Sequence, residues 1–400
     1  MKTYKLGGFA GVRNDVSPER FDSPHPKTGL TDLAACTNIE LDETGKPYRR
    51  LGATELDAIV SHSLWANDEL AYVVRGGTLR QIMPDLSITD LGITISGARV
   101  AYSRVGNDVF FSDNLIKGVV GTNGYRPWGI TPPQPVVAKG VGDLREGSYL
   151  VTTTYLRTNG LESGASPVVS VPCLSGEGIV VTMPASADPL AGGWQVYVSD
   201  TNGEVPYLVA TMLASDTTAT ISELPAARTL AVRTLRCGPP PAGQVVGNYK
   251  GRTYVADGAY LWYSLPYEYE LFHKAMNFLP FSAPVKTFNA VADGIYIGTE
   301  DATVFLHGDA PATFVQKPAA PYGTVLGTEA LIPAYYFGKG DNPTPVQLWM
   351  SKQGLCAGLE GGQFMNLTGE RYVLPDGVAK GASLLKLRGA SPQLVTTLFS

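Results

Sequence analysis

The sequence predicts an all-β molecule: a β-propeller of six or seven blades, with an immunoglobulin-like or fibronectin type III-like β-sandwich inserted into it. Three observations predict this. A short hairpin pattern recurs at roughly forty-residue intervals, the period of a propeller blade. Its clearest copies centre on Val73, Phe110, Val255, Tyr296 and Cys356. The first step is 37 residues and the second 145, but removing the 106 residues 133–238 reduces the second to 39, and the next is 41. The second observation is composition. With 45 Gly, 20 Tyr and only 17% charged residues, the chain suits many tight turns between packed strands. The third is a proline-rich bracket around the insert, Thr131-Pro132-Pro133-Gln134-Pro135 before it and Gly238-Pro239-Pro240-Pro241 after it. Stiff extended linkers of this kind suit a domain held out from its host. The expected organisation is an N-terminal arm over 1–35, a first propeller part over 36–132, the sandwich over 133–238 and a second propeller part over 239–400.

Each element follows from local pattern. In the arm, Pro18, Pro24 and Pro26 break any helix, while Thr31-Asp32-Leu33-Ala34-Ala35 can form one helical turn. Phe9 and Phe21 are lone aromatics that either tuck against the body or reach a partner. Asn38-Ile39-Glu40-Leu41 alternates cleanly, turns at Asp42-Glu43-Thr44-Gly45 and returns through Lys46-Pro47-Tyr48-Arg49. Leu70–Val74, Val109–Phe111, Tyr254–Ala256 and Ile295–Ile297 are apolar on both faces, as strands covered above and below must be. Gly, Asn and Asp follow them, the residues that tolerate the positive φ of tight hairpins. Two hairpins close the chain, Gly354–Leu359 with Gln363–Leu367 and Ser383–Leu387 with Gln393–Leu398. The stretch 309–349 exceeds one blade step and shows no clear tip, so it holds a diverged blade or long loops. In the insert, strands are expected over Tyr149–Leu156, Val168–Val171, Ile179–Met183, Trp194–Val198, Tyr207–Thr211 and Thr218–Ile221, with Trp194 in the core. Tyr149–Tyr155 followed by Asn159-Gly160-Leu161-Glu162-Ser163 resembles a fibronectin type III strand and its turn.

The net charge of −5 and pI of about 5.5 come with no basic patch of the kind duplex-binding proteins show. Arg49-Arg50 reads as a solvated strand end or a local salt-bridge donor. The four cysteines, Cys36, Cys173, Cys237 and Cys356, form no CxxC and imply no disulfide scaffold. Cys173 and Cys237 share the insert, and whether they pair is open. No apolar run is long enough for a signal peptide or a membrane-spanning helix, so synthesis in a reducing cytoplasm without membrane insertion is expected.

No catalytic, cofactor-binding or metal constellation emerges. His25, His62, His273 and His307 show no metal spacing, and GxSxG, P-loop and GxGxxG motifs are missing. A glycosidase needs two flanking carboxylates. Asp257, Glu268, Glu270, Asp293 and Asp301 are candidates, but each sits in or beside a hairpin turn, where an acid is structurally ordinary. Ser199-Asp200-Thr201-Asn202-Gly203 faintly resembles a sialidase Asp-box turn without its Trp. The aromatic segment from Tyr260 to Tyr269 can fill the wedge between blades or anchor an interface.

Several segments taken in order resemble tailed-bacteriophage virion proteins of the tail nozzle or tail-tip type. They are Leu6-Gly7-Gly8-Phe9-Ala10-Gly11-Val12, Leu33–Asp42, and Gly45 with Arg49-Arg50-Leu51-Gly52. Further on come Gly251–Ala256, Leu261–Ser264, Tyr269–Phe272, Asp293–Glu300, Phe305–Gly308, Leu348–Ser351 and Asn366-Leu367-Thr368. The resemblance implies a non-enzymatic part of a phage tail, present in the virion. It implies a homo-oligomeric ring, expected to be a hexamer, around the DNA channel. Its partners would be adaptor, tail-fibre or tip proteins, and DNA would pass without sequence-specific contacts. An acidic pI is compatible with such passage, because a lumen without basic patches would not hold the polyanion by its phosphates. The competing expectation is a glycan-binding or glycan-degrading, depolymerase-like propeller protein of the tail.

Overall fold

The computed structural model describes residues 9–21, 29–41, 45–50, 52, 58–67, 69–122, 124–337, 345–369, 371–388 and 391–400. His25, Leu6-Gly7-Gly8, Leu51 and the turn residues 42–44 and 389 lie outside them. The chain is all-β, with 52% strand and 3% helix. It divides into two compact units, residues 1–90 with 281–400, and residues 91–280.

Six four-stranded antiparallel sheets occur among the described residues, and in five of them the strands lie side by side in chain order. The first runs Ser61–Ala66, Ala71–Arg75, Thr78–Ile82 and Ile88–Thr94, its last strand carrying the chain across the division. The second runs Ala101–Val105, Asp108–Ser112, Lys117–Gly121 and Gly124–Pro127. Val245–Tyr249, Arg252–Asp257, Tyr260–Tyr263 and Phe278–Pro280 form the third. Val285–Val291, Gly294–Thr299, Thr303–His307 and Val315–Ala320 form the fourth, and Ala330–Ile332, Val346–Ser351, Gly354–Gly358 and Phe364–Asn366 the fifth. The hairpin centres Val73, Phe110, Val255 and Tyr296 each fall on the second strand of a sheet and are buried. Burial on both sides is why these runs carry no polar face.

Cys356 breaks the series. It lies on the third strand, directly opposite Trp349, and Trp349 is the buried second-strand centre. The last step is therefore from Tyr296 to Trp349. It is lengthened by the outer strand Val315–Ala320 and a short 3-10 turn, Ala334–Phe337. This accounts for the long stretch 309–349 without a hairpin tip.

The arm also differs from expectation. Thr31–Leu33 is a strand, not a helical turn, and pairs in parallel with Phe9–Val12. Arg13 and Arg371 both reach the Asp32 carboxylate at 3.5 Å. Asn14 Nδ2 donates to the Val373 carbonyl (2.8 Å) and its Oδ1 accepts the Val373 N–H (2.7 Å). These bonds give the strand a partner that an isolated helical turn would lack. Arg50 reaches Glu40 at 3.7 Å, which makes it a local ion-pair donor.

Within 91–280, two further sheets share one core. Val136–Val141, Glu177–Thr182 and Thr218–Ile221 form one sheet, in that spatial order. Val169–Cys173, Gly147–Arg157, Ala191–Ser199 and Pro206–Leu213 form the other. Alternate residues from both, including Tyr149, Val151, Val171, Ile179, Val181, Trp194, Val196 and Ile221, make the common core. Trp194 is buried, and its Nε1–H donates to the Asp216 carbonyl at 2.6 Å. The strand Val136–Val141 follows directly on the proline run that marks the linker. Cys36, Cys173, Cys237 and Cys356 are all free thiols, and Cys173 and Cys237 do not pair.

Candidate functional site

The most concentrated polar chemistry lies inside unit 91–280, where the two-sheet body meets the four-stranded sheets. Arg157 ends the long strand Gly147–Arg157, and its side chain is 0% exposed. Its Nε and Nη2 donate to Asp188 Oδ2 at 2.9 and 2.6 Å, and its Nη1 to Glu270 Oε2 at 2.7 Å. Nη2 also reaches the Pro127 carbonyl at 3.2 Å. Glu270, 7% exposed, further accepts Arg126 Nε and Nη2 (3.0 and 2.8 Å) and the Gly129 N–H (2.9 Å). Arg126 closes the chain on Asp108 at 2.5 Å. The sequence is thus Asp108, Arg126, Glu270, Arg157, Asp188, three carboxylates against two guanidiniums. The surplus charge sits at the Asp108 end, which is 34% exposed.

Local structure sets these positions. Trp128 Nε1 donates to the Tyr269 carbonyl at 3.0 Å, and the indole packs on Phe110 and Phe272. That places Arg126 and Gly129 on either side of Glu270. Gly129 has φ +82°, and a Cβ there would strike the Glu270 carbonyl and Pro239, so only glycine fits. Asp188 is fixed from behind by accepting the Leu190 N–H at 2.9 Å. Burial opposes the charge on Arg126, but hydrogen bonding to Asp108 and the attraction of Glu270 outweigh it and hold its pKa above the ordinary value. Planar guanidinium forks suit this role, because each can serve two carboxylates at once.

Chemically this is a joint. Each Glu270 oxygen already accepts two hydrogen bonds. Arg157 alone ties the stretch 133–238 to the residues before and after it, through the Pro127 carbonyl and Glu270, while Asp188 holds Arg157 from within that stretch. The stretch 133–238 is therefore joined to the rest of unit 91–280 by more than its proline-rich ends, and Cys237–Gly238 adds a short pairing with Phe272–His273. A hollow of about 170 Å³ opens beside the joint, lined by Asp108, Tyr125, Arg126 and Asn159 among others. That is below the range of roughly 300–1,000 Å³ typical of small-molecule pockets.

The other carboxylates are scattered. Asp257, at the end of its strand, and Asp301, in a bend, are both exposed. The Glu268 N–H donates to the Leu265 carbonyl in a tight turn. Asp293 accepts the Gly361 N–H at 2.9 Å and faces His307 Nδ1 at 3.5 Å. His62 Nδ1 lies 2.8 Å from Ser63 Oγ, and His273 belongs to the pairing with Cys237–Gly238. No group of three His, Cys, Asp or Glu among the described residues has metal-holding geometry. The turn at Ser199–Gly203 is a structural corner: Asn202 Oδ1 accepts the Ser148 N–H, and Arg228 reaches Asp200 at 2.9 Å. The aromatic segment is divided in use. Trp262 packs on Phe278 (5.2 Å between rings) and Tyr269 on Phe110 (6.4 Å), while Tyr260 and Tyr267 are exposed. No helix of the described residues is long and apolar enough to cross a membrane.

No protein-family model and no curated protein matches the chain. Among solved structures, it is similar to a computationally designed protein, Ika8, at 9% identity and TM-score 0.26, covering 85% of this chain and 98% of that one. It is also similar to the AfRom2 CNH domain at 10% identity and TM-score 0.25, covering 78% and 82%. A third similarity is to PorZ, a surface component of the type-IX secretion system of Porphyromonas gingivalis. It has 10% identity and TM-score 0.21, covering 90% of this chain and 55% of PorZ. Likeness at these scores carries no argument about function.

Proposed function

We propose that this chain is a structural component of a bacteriophage tail, a nozzle, tip or adaptor subunit that acts by protein–protein assembly in a ring around the DNA channel. One observation carries the reading. Three of the motifs that resemble tail nozzle and tail-tip proteins, Gly251–Ala256, Asp293–Glu300 and Leu348–Ser351, fall on the second strands of three consecutive four-stranded sheets. The resemblance thus follows the repeat of the fold, as it would if the repeating sheets were blades. On this reading the five sheets are propeller blades, and the two-sheet body is the inserted immunoglobulin-like or fibronectin-like domain.

Strand order supports the second assignment. The three-stranded sheet reads A-B-E if Val136–Val141 is A, Glu177–Thr182 B and Thr218–Ile221 E. The four-stranded sheet then reads G-F-C-C′, with Val169–Cys173 as G, Gly147–Arg157 as F, Ala191–Ser199 as C and Pro206–Leu213 as C′. The spatial layout is that of a fibronectin-type sandwich, but the F-G hairpin precedes B in the chain. This places the fibronectin-like stretch Tyr149–Ser163 early in the insert.

The test is assembly. Negative-stain imaging and sedimentation of the purified chain with its tail neighbours should give ring-shaped oligomers, and mass spectrometry should find the chain in virions. A strictly monomeric chain absent from virions would overturn the proposal.

A further inference from the structure

The hollow beside the charge joint is lined by two separate parts of unit 91–280. Asp108, Thr122, Tyr125 and Arg126 come from the second four-stranded sheet and the turn before its last strand, Asn159 and Leu190 from the stretch 133–238. The joint itself holds these walls. The Arg157 N–H donates to the Leu161 carbonyl at 2.9 Å, closing the turn that carries Asn159. The Thr158 N–H donates to the Leu190 carbonyl at 3.2 Å, and the Leu190 N–H to Asp188 at 2.9 Å. The Tyr125 ring packs on Phe111 (6.2 Å between rings) yet stays 44% exposed. A Cβ at Gly121 would strike Asp108 Oδ1 and Arg126 Nη1, so the bare backbone there makes room for that pair.

Charge decides what the hollow takes. Signs alternate along Asp108, Arg126, Glu270, Arg157 and Asp188, with one negative charge in excess. The Asp188 end is sealed at 3% exposed, so a ligand can meet the excess only at Asp108. Each Asp108 oxygen accepts one Arg126 N–H and keeps a lone pair. The Arg126 fork already takes the bidentate edge of this carboxylate, so a second planar guanidinium cannot dock there in the same way. A compact ammonium needs only one lone pair. Tyr125 supplies an aromatic ring, which attracts a cation, and Thr122 and Asn159 supply neutral oxygens. Leu190 supplies an aliphatic wall for a short methylene stem. We propose that this hollow binds a primary alkylammonium group, the head of a lysine side chain or of a free amine, with its nitrogen on Asp108 and its stem along Tyr125 and Leu190. At about 170 Å³ the hollow suits one head group on a few methylenes rather than a drug-sized molecule.

The test is a titration of the full chain, carrying isotope-labelled tyrosine, with n-butylammonium at constant ionic strength, followed by nuclear magnetic resonance. A saturable shift of the Tyr125 signal is expected, with no comparable shift from neutral n-butanol and weaker binding of n-propylguanidinium. Asp108→Asn keeps the shape, removes the charge and should weaken butylammonium binding about tenfold. No saturable shift, an equal response to butanol, tighter binding of the guanidinium, or unchanged affinity in Asp108→Asn would each overturn the assignment. If Asp108→Asn does not fold, the comparison of the three probes on the unaltered chain decides the matter. Two further probes distinguish the sources of the group. Tighter binding of Nα-acetyl-lysine methylamide than of cadaverine identifies a lysine side chain as the ligand, and the reverse order identifies a free amine.

Discussion

Replacing Arg157 by methionine keeps most of the buried volume and removes the charge. Four hydrogen bonds disappear, two to Asp188, one to Glu270 and one to the Pro127 carbonyl. Glu270 keeps Arg126 and the Gly129 N–H. Asp188 is 3% exposed and is left with only the Leu190 N–H. Removing one partner of a buried pair strands the other charge and costs about 3–5 kcal/mol. For a body of the size of unit 91–280, that corresponds to a melting shift of roughly 6–20 °C. Calorimetry reads the shift. Hydrogen exchange across 133–238 shows whether the two-sheet body loosens first. Arg157→Lys should fall between, because an ammonium cannot serve both carboxylates with a planar fork. Changing Arg157 and Asp188 together to apolar residues should recover much of the loss. If Arg157→Met melts within about 2 °C of the unaltered protein, the joint contributes nothing and the reasoning fails.

Other consequences follow from particular side chains. Trp194→Ala empties the core shared by the two sheets and frees the Asp216 carbonyl, so a loss of about 3–5 kcal/mol is expected in denaturant melts. Gly164→Ala would drive a Cβ into the Cys237 carbonyl, and a lowered melting temperature with faster proteolysis near 237 is expected. Burial pushes the Cys237 thiol up to about 11 and raises that of Cys173. In the native chain at pH 8, a thiol reagent should therefore modify Cys36 and leave these two untouched. The sign of the pH effect follows. The raised Cys237 value contributes stability that is fully present below the ordinary thiol pKa near 9 and is lost as pH climbs through about 11. Alkaline melts should show that decline, and Cys237→Ala should lessen it. Lys139 places a charge on the edge strand Val136–Val141, where it pairs with Glu177 at 3.0 Å. Lys139→Val removes an edge guard, and sedimentation should show increased self-association.

The repeat was legible because its signal is local. Runs such as Tyr254-Val255-Ala256 are apolar on both faces and are followed by residues that turn. The strands of the two further sheets in 91–280 are readable for the same reason, and Trp194 lies in their shared core. Cys356 misled because Gly354–Gly358 is as apolar as a second strand, while the true centre, Trp349, follows a stretch with no hairpin tip. Val136–Val141 was hidden behind prolines that read as linker. Thr31–Leu33 gains its strand from Phe9–Val12, a partner about twenty residues away that no local pattern announces. The charge joint was beyond sequence reasoning, because positions 108, 126, 157, 188 and 270 meet only after three sheets have formed. One trace existed: Arg157 closes a strand of apolar and threonine residues, an unusual place for a guanidinium unless a buried carboxylate awaits it. Glu270 looked like an ordinary turn acid because its partners lie far upstream.

On the proposed reading, the repeating sheets make this chain an assembling part of a tail. The most direct measurement is a reconstruction of the assembled virion tail at side-chain resolution. It is expected to show copies of the chain in a closed ring about the DNA channel, with the four-stranded sheets arranged radially as blades. Density for the tail that lacks this chain, or sheets that are not radial, would contradict the account.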